Sequence, residues 1–178
     1  MSSRDLLKLV SSGTAFFDLS SWPKLGVSGG DALLWLANLL SDDVADLGPG
    51  RALHSTMSSD GRPGGEVTVA VVGGHVLLVQ DPDQEHSILD LVAEQEAEVE
   101  LDDRTDDLAL FAFPGRSVPP NAPGCAFSVP SCLGTGIDVF AMAEDRNHRL
   151  SLFSKVYTLA GDEELRIWRH NAKAPGPQ

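Results

Sequence analysis

The chain has 178 residues, with 13 Lys and Arg against 26 Asp and Glu, a formal net charge of −13 and a pI of about 4.5. With 42% hydrophobic and 22% charged residues it has an ordinary globular composition, and a chain of this length buries enough surface to fold, which excludes wholesale disorder. Its charge repels phosphate backbones and anionic lipid, so nucleic acid and membranes are not expected partners and a basic protein is.

Residues 1–12 hold only a very short apolar stretch, interrupted by Asp5 and Lys8, so no secretory signal is legible. The longest apolar segment, 32–40, contains Asn38 and runs into Asp42 and Asp43, far short of a membrane span. Two cysteines, Cys125 and Cys132, are too few for a disulfide scaffold, and these features together point to the cytoplasm.

In chain order, Leu6, Leu7 and Val10 behind Ser2 and Ser3 predict a short helix over 2–10, ended by Gly13. Phe16, Phe17 and Leu19 predict a buried strand over 14–19, and Trp22-Pro23 turns the chain away. Leu33, Leu36, Ala37, Leu40, Val44 and Leu47 recur at steps of three and four, which predicts a core helix over 31–47. Ser28 and Asp31 are its candidate caps, and Gly48-Pro49-Gly50 stops it.

Residues 55–65 read as a polar loop. Gly73-Gly74 between 67–72 and 75–80 has the spacing of a two-residue β-hairpin. Ile88, Leu91 and Val92 predict a second helix over 87–96. Alternation over 97–102 and an apolar run over 108–113, joined by a polar turn, predict a second hairpin.

Prolines 114, 119, 120, 123 and 130 make 114–130 a long loop whose end, with Phe127 and Val129, packs down. Strands are expected at 137–143, 150–157 and 165–168, and the tail 172–178 should fray. The whole reads as one α+β domain over 1–171, a mainly antiparallel sheet of about six or more strands with two main helices packed on it and a short N-terminal helix.

The charge is concentrated. Residues 81–107 hold 12 acids and one base, Arg104, so the remainder is almost neutral. The plain reading is a solvated face that keeps the chain soluble. The functional reading is a docking face for a basic protein, built from Asp81, Asp83, Glu85, Glu94, Glu98, Glu100, Asp102, Asp103, Asp106 and Asp107. In size and acidity the chain resembles small bacterial immunity proteins and antitoxins, which implies an inhibitor that holds a basic partner.

Other constellations are weaker. Asp81, Asp83 and Glu85 alternate as a calcium loop begins, but His86 stands where a glycine is needed and Val92 where a bidentate Glu is needed. Cys125 and Cys132 supply at most half a zinc site, and the five histidines are scattered singly, so no metal or cofactor is expected. Gly61-Arg62-Pro63-Gly64-Gly65 precedes a strand, the wrong order for a phosphate loop. Arg166 and Arg169 beside Trp168 form a small basic group suited to pairing with the acidic stretch.

The alternative from another class is a small enzyme or ligand-binding domain with its site near Cys132, beneath the loop 114–130. Ser131-Cys132-Leu133-Gly134-Thr135-Gly136 is a glycine-rich setting that exposes backbone N–H groups, with Cys132 as nucleophile and a histidine as base.

Overall fold

The computed structural model describes residues 3–59, 62–95, 99–120 and 127–172, and in it the backbone divides into two compact units. One comprises 1–20 with 109–178, the other 21–108. They differ in charge as well as in sequence. The second unit has 4 Lys and Arg against 18 Asp and Glu, whereas the first has 9 against 8.

The second unit is built on the Gly-Gly hairpin. Gly73 and Gly74 have φ of 57° and 86°, the left-handed conformation that a tight hairpin turn requires and that glycine adopts without steric cost. They join β4 (Arg62–Val72) to β5 (His75–Val79) in the expected register, Val72 opposite His75. β3 (Ala52–Ser59) lies on the other side of β4, while β5 pairs with β2 (Lys24–Ser28) and β2 with β6 (Glu100–Asp103). All four pairings are antiparallel.

One face of this sheet carries Val27, Met57, Val67, Val69, Val71, Val76 and Leu78. Against them pack Leu36 of α2 (Ala32–Leu39) and Val92 of α3 (Ile88–Ala93). Both predicted core helices therefore cover this sheet. Ser87 caps α3 by accepting the Asp90 N–H at 3.1 Å.

The first unit holds the sheet β10-β1-β7-β9-β8, made of β1 (Ala15–Asp18), β7 (Leu108–Pro114), β8 (Phe127–Pro130), β9 (Gly136–Met142) and β10 (Thr158–Ala160). β10 runs parallel to β1, whereas the β1–β7 and β8–β9 pairs are antiparallel. Its helices are α1 (Ser3–Ser11), α4 (Arg146–Phe153) and α5 (Asp162–Ala172). The core is aromatic: the Phe16 ring stacks on Phe113 at 5.3 Å, and Phe153 meets Phe16, Phe111 and Phe113 edge-on at 5.0 to 5.7 Å. No helix among the described residues is long and apolar enough to cross a membrane.

The α+β class, the mostly antiparallel pairing and the short N-terminal helix agree with the sequence pattern; the ten strands are divided between two sheets of five. Several expected elements differ. The helix read over 31–47 ends at Leu39, because Leu40 turns extended and bridges to Met57, and Ser41 exchanges hydrogen bonds with Thr56. Asp42, Asp43 and Asp46 would have opposed the helix dipole at a C-terminus, and Asp43 accepts the Ala45 N–H instead.

The loop read over 55–65 is largely strand, with a register shift between Met57 and Ser58. The predicted hairpin of 97–102 with 108–113 does not form: β6 pairs with β2, a strand missed because Pro23 was read as ending regular structure, and β7 pairs with β1. In place of the expected strands, 150–153 end helix α4 and 154–157 turn, and 165–168 lie within α5; the apolar residues Leu150 and Phe153, then Leu165 and Trp168, are three apart. The tail 173–178 and most of the loop's second half, 121–126, lie outside the described residues.

Leu36 is fully buried at the centre of the second unit's core. Leu36→Ala is expected to cost roughly 2–5 kcal/mol in denaturant melts, through lost transfer free energy and the cavity left behind.

Candidate functional site

The acidic residues of 81–107 occupy several exposed places in the second unit. Asp81 and Asp83 form a turn after β5 in which the Asp83 N–H donates to the Asp81 carboxylate at 2.9 Å, and Glu85 follows it. Glu94 caps the end of α3, and Glu98 lies outside the described residues. Glu100, Asp102 and Asp103 lie on β6 at the sheet edge, with Asp106 and Asp107 in the next turn.

The one base of the stretch is already engaged, with Arg104 Nε 3.1 Å from Asp107 and Nη1 3.6 Å from Asp102. The Thr105 N–H donates to Asp103 at 2.9 Å, and hydrogen bonds from Thr105 hold the Asp103 carboxyl below its ordinary value. Arg166 pairs loosely with Glu163 on its own helix at 3.8 Å. Among the described residues no group of three or more His, Cys, Asp or Glu side chains is arranged to hold a metal ion.

Cys132 lies in the turn between β8 and β9, and that turn is organised by a residue the sequence reading did not single out, Asp138. Strand pairing sets Val129 opposite Asp138 and Pro130 opposite Ile137, so the Asp138 side chain reaches back to the turn. Ser131 Oγ donates to one carboxylate oxygen at 2.6 Å, and the Cys132 N–H donates to the other at 2.7 Å. Ser131 Oγ in turn accepts the Leu133 N–H at 3.2 Å, and Trp168 Nε1 of α5 donates to the Leu133 carbonyl at 3.4 Å.

Asp138 is only 1% exposed. Burial raises its pKa to about 6 despite the hydrogen bonds from Cys132 and Ser131, which favour the ionised form and pull the other way. The half-buried Cys132 thiol is pushed well above its ordinary value, first by burial and then by the Asp138 charge. It is therefore protonated at neutral pH, the opposite of an activated nucleophile. The group that changes protonation near neutrality is the carboxyl. The signal for it was an aspartate within the apolar run Ile137 to Phe140, where a charged residue needs dedicated partners.

No protein-family model matches the sequence. The chain is similar to the aminomethyltransferase of Bacillus velezensis, 30% identical over 166 residues that cover 89% of this chain and 43% of that protein. It is similar to the Bacillus subtilis aminomethyltransferase at 25% identity over 174 residues, covering 90% of this chain and 47% of that one. The chain thus spans less than half the length of these curated relatives. The solved structure of glycine cleavage system aminomethyltransferase T from Bartonella henselae has the same fold over 92% of this chain and 52% of that one, with a TM-score of 0.68 at 16% identity.

These likenesses overturn the expected immunity-type inhibitor. The similar proteins are enzymes, and size with acidity, the only basis for the inhibitor reading, is shared by unrelated folds.

The displaced Asp138 pKa makes a test. The folded state holds this proton more tightly than the unfolded chain, so the associated stabilisation is complete below about pH 4 and is lost as pH rises through about 6. Between pH 4 and 7.5 the unfolding free energy of wild type should fall relative to Asp138→Asn by roughly 3 kcal/mol, an order-of-magnitude figure from the size of the shift. Paired denaturant melts at several pH values measure this, and a difference that does not vary with pH would contradict the assignment.

Proposed function

We propose that the chain is an aminomethyltransferase-type group-transfer protein. The observation that carries this reading is the similarity to the Bacillus velezensis aminomethyltransferase, which runs through 89% of the chain. The fold shared with the Bartonella henselae protein supports it.

Transfer of an aminomethyl group moves a carbon bonded to a basic nitrogen, so a protein that performs it has to manage a proton at that nitrogen near neutral pH. Asp138 is buried and would not touch that nitrogen itself; as a carboxyl that exchanges its proton at about 6 it would act as a positioning residue, through the turn that Ser131 and Cys132 form around it. In this reading Cys132 positions the carboxylate through its backbone N–H, and its thiol is not a nucleophile.

A glycine-cleavage reaction reconstituted without its aminomethyltransferase provides the test. Adding the purified chain should restore transfer of the glycine methylene carbon, followed with 13C-labelled glycine, above the level of the incomplete mixture. A reaction that stays at that level with the chain present in equimolar amount would overturn the reading.

A further inference from the structure

Helix α2 of the second unit is apolar on every side. Its eight residues, Ala32 to Leu39, include one polar side chain, Asn38, and no charge. A helix of that composition is ordinarily enclosed all round, because a surface helix turns a polar stripe to water. Here only Ala32 and Leu36 are buried, while Leu33, Trp35, Ala37 and Leu39 are half-buried. Leu34, about 200° round the helix from Leu36, is 57% exposed.

Two details sharpen this face. The Asn38 amide, one turn after Leu34, donates to the Leu34 carbonyl at 3.0 Å, so the one polar side chain of the helix is turned onto its own backbone. Carboxylates also stand at both ends. Asp31 occupies the N-cap position without a side-chain hydrogen bond to the first helical N–H groups, and exposed Asp42 and Asp43 follow the helix.

Charge complementarity selects the occupant. The unit has 18 acids against 4 bases, so a second copy docked on α2 would bring acid against acid, and anionic lipid or nucleic acid is repelled. A cationic segment with an apolar stripe matches both the exposed leucine and the flanking carboxylates. The helix is about 12 Å long, so a partner helix crossing Leu34 with Lys or Arg two to three turns apart meets carboxylates at both ends.

We propose that the outer face of α2, centred on Leu34 between Trp35 and Ala37, docks a basic amphipathic helix of another protein. The apolar stripe of that helix covers Leu34, and its Lys or Arg side chains pair with Asp31, Asp42 and Asp43. The surface is small, so the complex forms in the micromolar range, as expected of a contact at the low end of interface size. It belongs to the other unit from Asp138, and it stands whether or not the chain transfers aminomethyl groups.

The probe is a fluorescein-labelled peptide of about 18 leucine and lysine residues, with the leucines at steps of three and four. It is titrated with the full chain, and fluorescence anisotropy is read at about 50 and 300 mM salt. Leu34→Gln, at an exposed position, should keep the wild-type circular dichroism spectrum and weaken binding about tenfold through the lost apolar contact. Asp31→Asn, Asp42→Asn and Asp43→Asn together should weaken it several-fold at low salt and remove most of its salt dependence. Neutralising three acids elsewhere in the unit, by Glu100→Gln, Asp102→Asn and Asp106→Asn, should have a smaller effect. A peptide of the same composition with scrambled leucines should bind more weakly and without regard to Leu34. No binding at concentrations up to about 200 µM, equal affinity of wild type and Leu34→Gln for the patterned peptide, or a larger loss from the distant acids than from those beside α2 would overturn the proposal.

Discussion

The carboxyl group of Asp138 has almost no access to water, and the turn at the candidate site is arranged around that constraint. A buried carboxylate is tolerated only when donors surround it. Here the donors are a hydroxyl and a backbone N–H from the two residues that open the turn, Ser131 and Cys132. The same hydroxyl then accepts the Leu133 N–H, and the Leu133 carbonyl accepts from Trp168, so one charged group fixes the turn and links it to α5. The two opposing effects do not cancel. Burial outweighs the hydrogen bonds and leaves a group that titrates near neutrality, while the same surroundings hold the neighbouring thiol protonated.

The two units use different chemistry. The first relies on aromatic packing around Phe16 and Phe153 and is nearly neutral; the second is an aliphatic sheet and helix core that carries the excess acid. Buried within the second unit is Lys24, whose ammonium donates to the Trp22 carbonyl at 2.8 Å and to the Thr105 carbonyl at 3.4 Å. It ties the start of β2 to the turn after β6. Charge density reports on solubility and association, and fold is set by apolar pattern and pairing. For that reason the acidity of 81–107 suggested an inhibitor while the backbone resembles aminomethyltransferases.

Much of the local structure was legible where one residue type decides it. Gly73-Gly74 specified its hairpin, and Leu36 fell in the core of the second unit. Errors arose where a short apolar run fits two periods. Leu150 to Tyr157 and Leu165 to Trp168 read as strands, although the acids at 162–164 and Arg169 and His170 at the far end suit the dipole of α5. Beyond the Gly73-Gly74 hairpin, partner choice was not legible. The strand β6 is followed closely in sequence by β7 yet pairs with β2, because pairing depends on long-range contacts that local patterns do not encode. Of the candidate site, Cys132 was visible and Asp138 was not, since its significance depends on burial and on a hairpin register that brings it to Ser131.

Desolvation, opposed by the hydrogen bonds from Ser131 and Cys132, sets the protonation of Asp138. The most direct measurement is an NMR titration of its side-chain carboxyl carbon in the native chain. A midpoint of about 6, accompanied by shifts of the Cys132 and Leu133 amide signals, is the predicted result. A midpoint in the ordinary carboxylate range below about 4 would contradict it, because it would place Asp138 in water and leave the turn without its organising charge.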